Sequence, residues 1–361
     1  MSWRQSGPNR MTRERRRFAF WFAALLAFAL PAAASASTPG PLADLQDQLD
    51  LAVFHAPGTV GIAVEDLATG LTSGVNASAS LPAASTIKIP VMVEVFRQMA
   101  GGAIDLNSKM HLRRNDRDWG SGDLADGRIG ESKTVEQLLW LMINDSDNTA
   151  TNMLIRRVGR QNVNRTMSGL GLRTTHLGDY IRSAGTEIRY ALRSSPRDMV
   201  KLLDLMARNH LVDEWSSREM LSILTGQTHN TLLPQPLPRK LKIAHKTGSL
   251  HDTLNDVGIV YLSDEPYIIA VMTTHLQSLS IGRHFIRKVS KMAYDHLGRF
   301  ARWREESGLP AFKLGLAPDS GAVTQPLAPD LEMWNVKGPL PRAVKDSTPL
   351  WDPAPTASPQ P

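Results

Sequence analysis

The chain has 361 residues, 42% of them hydrophobic and 21% charged, with a formal net charge of +6. That is a globular composition, long enough for one large domain or two small ones, with no heptad or solenoid repeat. The absence of cysteine excludes disulfides, thiolate catalysis and cysteine-bound metal.

The first 36 residues read as an export leader. MTRERRRF is basic, FAFWFAALLAFAL is apolar but short for a membrane span, Pro31 breaks it, and Ala34-Ser35-Ala36 offers a small-residue cleavage site. The leader holds Arg4, Arg10, Arg13, Arg15, Arg16 and Arg17 against Glu14, so its removal lowers the formal charge from +6 to +1. A nearly neutral mature chain has no electrostatic motive to bind nucleic acid. The expected location is periplasmic or secreted, with no membrane span after cleavage.

PLADLQDQLDLAVFHA (41–56) places Leu45, Leu49 and Val53 at helical spacing. TVGIAVEDLATG (59–70) reads as a strand ending at Gly70, and LTSGVNAS as its hairpin partner. IPVMVEVFRQMAGG (89–102) is helical up to paired glycines. TVEQLLWLMINDSDNTATNMLIRRVG (134–159) reads as helix, opened by Thr134 with Gln137 at capping-box spacing. SPRDMVKLLDLMARN (195–209) starts a helix with Ser and Pro. KLKIAHKTGSL (240–250), TLNDVGIVYL (253–262) and PYIIAVMTTH (266–275) return to strand, and RHFIRKVSKMAYDHL (283–297) is a helix ending at Gly298, with Arg283, Arg287, Lys288 and Lys291 on its solvated face.

Strands, then helices, then strands imply an α+β fold: an antiparallel sheet closed by distant parts of the chain, flanked by helices, with an inserted all-helical subdomain at about 95–238. The expected catalytic domain is 37–308. Residues 309–361 are proline-rich and poor in apolar runs, so they read as an extended or disordered tail; docking through Trp334 and Trp351 is the less favoured alternative.

Three short motifs carry the chemistry. Ser85-Thr86-Ile87-Lys88 is weak alone, since S-x-x-K is expected about once by chance in such a chain. Its setting after Pro82 and small residues suits a helix start, where free N–H groups favour an anionic oxygen. Lys88, one turn on, projects from the same face, and a buried lysine that sheds its proton can act as a base. Ser85 as a plain helix cap and Lys88 as a solvated side chain are the bland alternatives. Ser146-Asp147-Asn148 and Lys246-Thr247-Gly248, followed by Ser249, are each expected about once in ten chains or fewer. Their order with Ser85 is what makes the set specific. The chain has no G-x-S-x-G or H-E-x-x-H, and His245 and His251 beside the K-T-G strand read as strand-edge polar groups rather than metal ligands.

In these motifs, in the 134–159 stretch and in the Gly120-Ser121-Gly122-Asp123-Leu124 loop, the chain resembles the class A β-lactamases and related penicillin-recognising serine enzymes, over about residues 41–300. The resemblance implies Ser85 as acylated nucleophile and Lys88 as its activator. Ser146 would pass the proton between Lys88 and the leaving nitrogen. Asn148 would bind the substrate's side-chain amide, while Lys246 and Thr247 hold its carboxylate. Gly248 would leave room along the strand edge, and the N–H groups of Ser85 and Ser249 would face the oxyanion. Asp147 would fix its turn. No metal or cofactor is implied, and the expected agent is a monomer acting on a β-lactam.

The sequence departs from the family in the loop after the S-D-N motif. Where the family has E-x-x-L-N, this chain reads HLGDYIRSAGTEIRYALRSSPRDM. Counting from either flank, the family's glutamate falls among Asp179, Tyr180, Ile181 and Arg182; Asp179 and Glu187 are the candidate bases, Glu187 being displaced toward the next helix with no L-N after it. Deacylation is therefore expected to be slow. A D-alanyl peptidase-like enzyme acting on peptidoglycan peptides, and a non-catalytic binding module for penicillin or wall peptide, are the competing readings.

Overall fold

The computed structural model describes residues 41–183, 191–263 and 265–308. The expected leader, the tail with Trp334 and Trp351, and Glu187 lie outside them. Helix α1 (Pro41–Phe54) leads into strand β1 (Thr59–Asp66), which turns back as β2 (Thr72–Val75). The C-terminal hairpins supply β8 (Ile243–Leu250), β9 (Thr253–Val260) and β10 (Tyr267–Thr274), and α8 (Leu279–Glu306) closes the described chain. The five strands form one antiparallel sheet in the order β2-β1-β10-β9-β8. Distant chain segments meet where Thr59 pairs with Thr274 and Asp66 with Tyr267.

Both faces of this sheet are covered, which is why its middle strand, β10, reads as a near-continuous apolar run. On β10, Ile269 and Val271 face the layer of α1 and α8, with Leu45, Leu49, Ile286 and Val289. Ile268, Ala270 and Met272 face the opposite, larger core. That core is built by α2 (Lys88–Ala100), α3 (Val135–Asn144), α4 (Asn148–Val158), α5 (Arg160–Gly169), α6 (Pro196–Ala207) and α7 (Glu214–Thr225). The fold is α+β, as the element order implies.

Three local features differ from the sequence reading. The run 134–159 is two helices, because Ser146 adopts φ 57° and Asp147 restarts the helix as an N-cap, its carboxylate accepting from Ala150 N. The central helical region also holds short strands: β3 (Leu81–Pro82) with β7 (Leu192–Ser194) and β6 (His176–Leu177), and β4 (Lys109–His111) with β5 (Ser132–Thr134). Finally, α8 runs through Gly298 to Glu306, since burial of Leu297 and Phe300 outweighs the roughly 1 kcal/mol that a helical glycine costs. Two caps match the sequence reading. Thr134 and Gln137 form the reciprocal box at α3, and Ser195 accepts from Asp198 N at α6.

One polar side chain in the sheet fixes the backbone ahead of α2. Asn255 of β9 is buried and donates to Pro82 O (2.8 Å) and Ala83 O (3.1 Å), while accepting from Thr273 N (2.9 Å). This holds the chain where Ala84 takes φ 47°, an uncommon conformation for a residue with a Cβ. Asn255→Ala is expected to destabilise the protein by about 2–4 kcal/mol, because buried backbone groups lose their partners. A lowered urea midpoint at unchanged slope would register the loss.

Candidate active site

Ser85 lies in the 3-10 turn Ala84–Ile87, and Lys88 begins α2 directly after it. The turn is pinned by Asn255 and by Thr86, whose hydroxyl donates to Ala83 O (2.7 Å). Ser85 remains partly exposed at the floor of a cleft of about 580 Å³. Ser146, Asn148, Thr247, Gly248 and Ser249 line the same cleft. Three pieces of chain far apart in sequence therefore converge there.

Lys88 and Lys246 are both fully buried beneath the cleft. Lys88 Nζ lies 2.6 Å from Ser146 O, 2.8 Å from Asn148 Oδ1 and 3.1 Å from Ser146 Oγ. Lys246 Nζ lies 3.0 Å from the same Ser146 Oγ and 3.1 Å from Thr247 O. One hydroxyl thus bridges two buried amines. Burial first, and then Lys246, hold the Lys88 ammonium well below the ordinary lysine range, with Asp147 and Asp118 opposing. Burial pushes Lys246 down to about 7, against the pull of Asp256. A neutral Lys88 has two hydrogens, enough for Ser146 O and Asn148 Oδ1, and a lone pair left to accept a hydroxyl proton.

The S-D-N turn is held from below by the Gly-Ser-Gly loop. Asn148 N donates to Ser121 O (3.0 Å), and Leu124 N to Asp147 Oδ2 (2.9 Å). Gly122 has φ 80°, and a Cβ there would fall 2.2 Å from Asp147 Oδ2, so only glycine fits. On the next turn of α4, Asn152 donates to Asp116 O and Ile181 O and accepts from Ile181 N.

On the other side, β8 is an edge strand whose Gly248 abuts the Ser85 turn. A Cβ on Gly248 would lie 3.0 Å from both Ser85 N and Ala83 O. The arrangement leaves an open strand edge beside the Ser85 and Ser249 backbone, where an extended ligand can lie.

A protein-family model described as the beta-lactamase enzyme family matches residues 44–297. The chain belongs to that family. Among solved structures, PBP-A is 30% identical with a TM-score of 0.67, covering 72% of this chain and 97% of its own. A beta-lactamase from Sphaerobacter thermophilus is 30% identical with a TM-score of 0.66, covering 70% and 97%. A leucine-to-glutamate variant of PBP-A, solved as an acyl-enzyme complex with penicillin G, is 29% identical with a TM-score of 0.67, covering 73% and 100%.

The family resemblance does not extend to a usable carboxylate at Asp179. That side chain is 58% exposed, lies 4.0 Å from Arg160 Nη1 and accepts from Tyr180 N. Ile181, Arg182 and Ser183 line the cleft, and Asp179 does not. Among the described residues no Asp or Glu lines the cleft at all.

His245 is also not the edge group its position suggests. It is 1% exposed, with Nδ1 2.9 Å from Asp256 Oδ1 and Nε2 2.9 Å from Asn230 Oδ1. Asp256 Oδ2 accepts from Leu233 N, so the pair ties β8 to the 227–233 loop that carries His229, Thr231 and Leu232 into the cleft. Among the described residues no group of three metal-ligating side chains exists.

Sequence reasoning passed over Asp118, Asn255, Asp256, Arg182 and Arg283 as site residues. Asn255 and Asp256 carried a signal: adjacent polar residues inside an apolar strand need buried partners. Gly248→Val is expected to lower reaction at Ser85 at least about tenfold while costing about 1–3 kcal/mol, since its side chain must displace the Ser85 turn. Intact-mass kinetics with benzylpenicillin and thermal unfolding measure the two effects.

Proposed function

We propose that this protein is an exported serine hydrolase that opens β-lactam amides through a Ser85 acyl-enzyme and releases the product slowly. The observation that carries this reading is the Ser146 hydroxyl held between two buried amines in the cleft that contains Ser85. Neutral Lys88 takes the Ser85 proton as Oγ attacks the lactam carbonyl. The C–N bond breaks, and the nitrogen receives a proton through Ser146, leaving an ester on Ser85. Charged Lys246, with Thr247, holds the substrate carboxylate. The N–H groups of Ser85 and Ser249 face the developing oxyanion. Arg182 and Arg283 add positive charge to the cleft wall, which suits an anionic substrate.

Slow release is supported by the described part of the cleft wall, which carries no Asp or Glu; Glu187 lies outside the described residues. Hydrolysis of the ester needs a base within reach of a water, and the nearest buried carboxylates are already engaged. Asp147 caps α4, and Asp118 holds Asn148 and Ser183. The same feature favours a second reading, a D-alanyl peptidase-like enzyme sharing the acylation machinery. The basic, apolar and small-residue order of the N-terminus supports export.

Intact-mass spectrometry with excess benzylpenicillin is expected to show one adduct, absent in Ser85→Ala; no adduct on the wild type contradicts the reading. Nitrocefin is expected to give a burst followed by slow turnover, whereas release of D-alanine from a D-alanyl peptide at a much higher rate selects the peptidase. A pure binding module would retain ligand in Ser85→Ala and turn nothing over.

The pH dependence has a defined sign. Carboxylate capture needs protonated Lys246, so the acylation constant is expected to fall as pH rises through about 7. In Lys246→Arg, whose guanidinium stays charged, that alkaline limb should disappear.

A further inference from the structure

Asp118 belongs to none of the three motifs, yet its side chain meets the site from two sides. It is 6% exposed. Its Oδ1 accepts from Asn148 Nδ2 (2.7 Å) and from Gly120 N (3.0 Å). Its Oδ2 accepts from Ser183 N (2.6 Å) and Ser183 Oγ (3.0 Å). Its backbone is bracketed by Thr149, whose hydroxyl accepts from Asp118 N (3.0 Å) and donates to Asp118 O (3.2 Å).

We propose that Asp118 is a positioning residue for acyl transfer: it fixes the orientation of the Asn148 amide and locks that amide to the 181–183 wall of the cleft. An amide side chain can turn over at little cost unless its two ends meet different partners. Here Oδ1 faces Lys88 and Nδ2 faces a carboxylate, so one orientation is imposed. The second Nδ2 hydrogen is left for a substrate carbonyl. A Cβ on Gly120 would fall 2.2 Å from Ser183 Cβ, so the two cleft walls are in contact where Asp118 joins them.

Charge is the second part of the role. Burial pushes the Asp118 carboxyl up, but donors from Asn148, Ser183 and Gly120 outweigh it and hold the group below its ordinary value. It is therefore an anion near Lys88. The charged groups bearing on Lys88 are Lys246, which lowers its proton affinity, and Asp147 and Asp118, which raise it. Removing the Asp118 charge makes Lys88 easier to deprotonate.

The inference rests on the proposed acylation of Ser85. Two ligands separate its effects: benzylpenicillin, which carries a side-chain amide, and penicillanic acid, which has none. In Asp118→Asn the new amide turns a donor toward Asn148 or toward Ser183, and one of the two ties breaks. Acylation by benzylpenicillin is expected to fall roughly tenfold or more, while penicillanic acid changes less than about threefold. The acid limb of the acylation profile is expected to move to lower pH, and Asp118→Glu, which keeps the charge, to return it toward the wild-type position. If Asp118→Asn does not fold, Asp118→Glu carries the test, because its longer arm still displaces Asn148 and must still discriminate between the ligands. Equal effects on both ligands with an unmoved acid limb, or no effect at all, would overturn the proposal. A wild type that forms no adduct would refute the functional reading itself, a result distinguishable from either.

Discussion

The structure depends on burying a lysine that, among the described residues, has no carboxylate in ion-pair contact. Lys88 is buried at the start of α2, and its nearest neighbours are oxygens of Ser146 and Asn148 and the amine of Lys246. Burying an unpaired ammonium is costly, and the cheaper solution is to lose the proton. The fold must then hold every surrounding group firmly enough that the lysine cannot escape to solvent. The two-sided core does this: α2 is buried along most of its length, with Ile89, Val91, Met92, Val93, Val95 and Phe96 fully enclosed.

Positioning comes mostly from buried polar side chains outside the three motifs, with Asp147 the exception. Asn255 holds the backbone before Ser85, Asp147 and Gly122 hold the S-D-N turn, and His245 with Asp256 holds the strand that carries Lys246. Each is satisfied on several sides, as buried polar groups must be. Two residues of the site region, Ala84 and Ser146, take left-handed backbone conformations despite carrying a Cβ. Such strain persists only where the surroundings over-determine it, and here the hydrogen bonds of Asn255 and of the Gly-Ser-Gly loop do so.

Much of this was legible in the sequence. The period-2 and continuous apolar runs gave the sheet strands, Thr134 and Ser195 announced their helix starts, and the family resemblance carried by the three motifs implied that Ser85, Lys88, Ser146 and Lys246 meet. The break at Ser146 was missed although the sequence carried a signal for it: six polar residues, Asn144 to Thr149, interrupt the apolar pattern there, and Asp147 is an N-cap residue type. Asp118 was hidden for a different reason. A lone aspartate in a polar loop has no periodicity, and its meaning comes from Asn148 and Ser183, thirty and sixty-five positions away. Asp179 pointed toward a deacylation base by register alone, and register cannot say which way a loop side chain faces.

The central claim is that Lys88 is an uncharged amine at neutral pH. Nitrogen-15 chemical shifts of the lysine side chains, followed by NMR across a pH titration and assigned by comparison with Lys88→Met and Lys246→Arg, test it directly. The account predicts a Lys88 resonance in the neutral-amine range at pH 7 that moves to the ammonium range only on acidification. A Lys88 resonance that stays in the ammonium range up to pH 10 would contradict it.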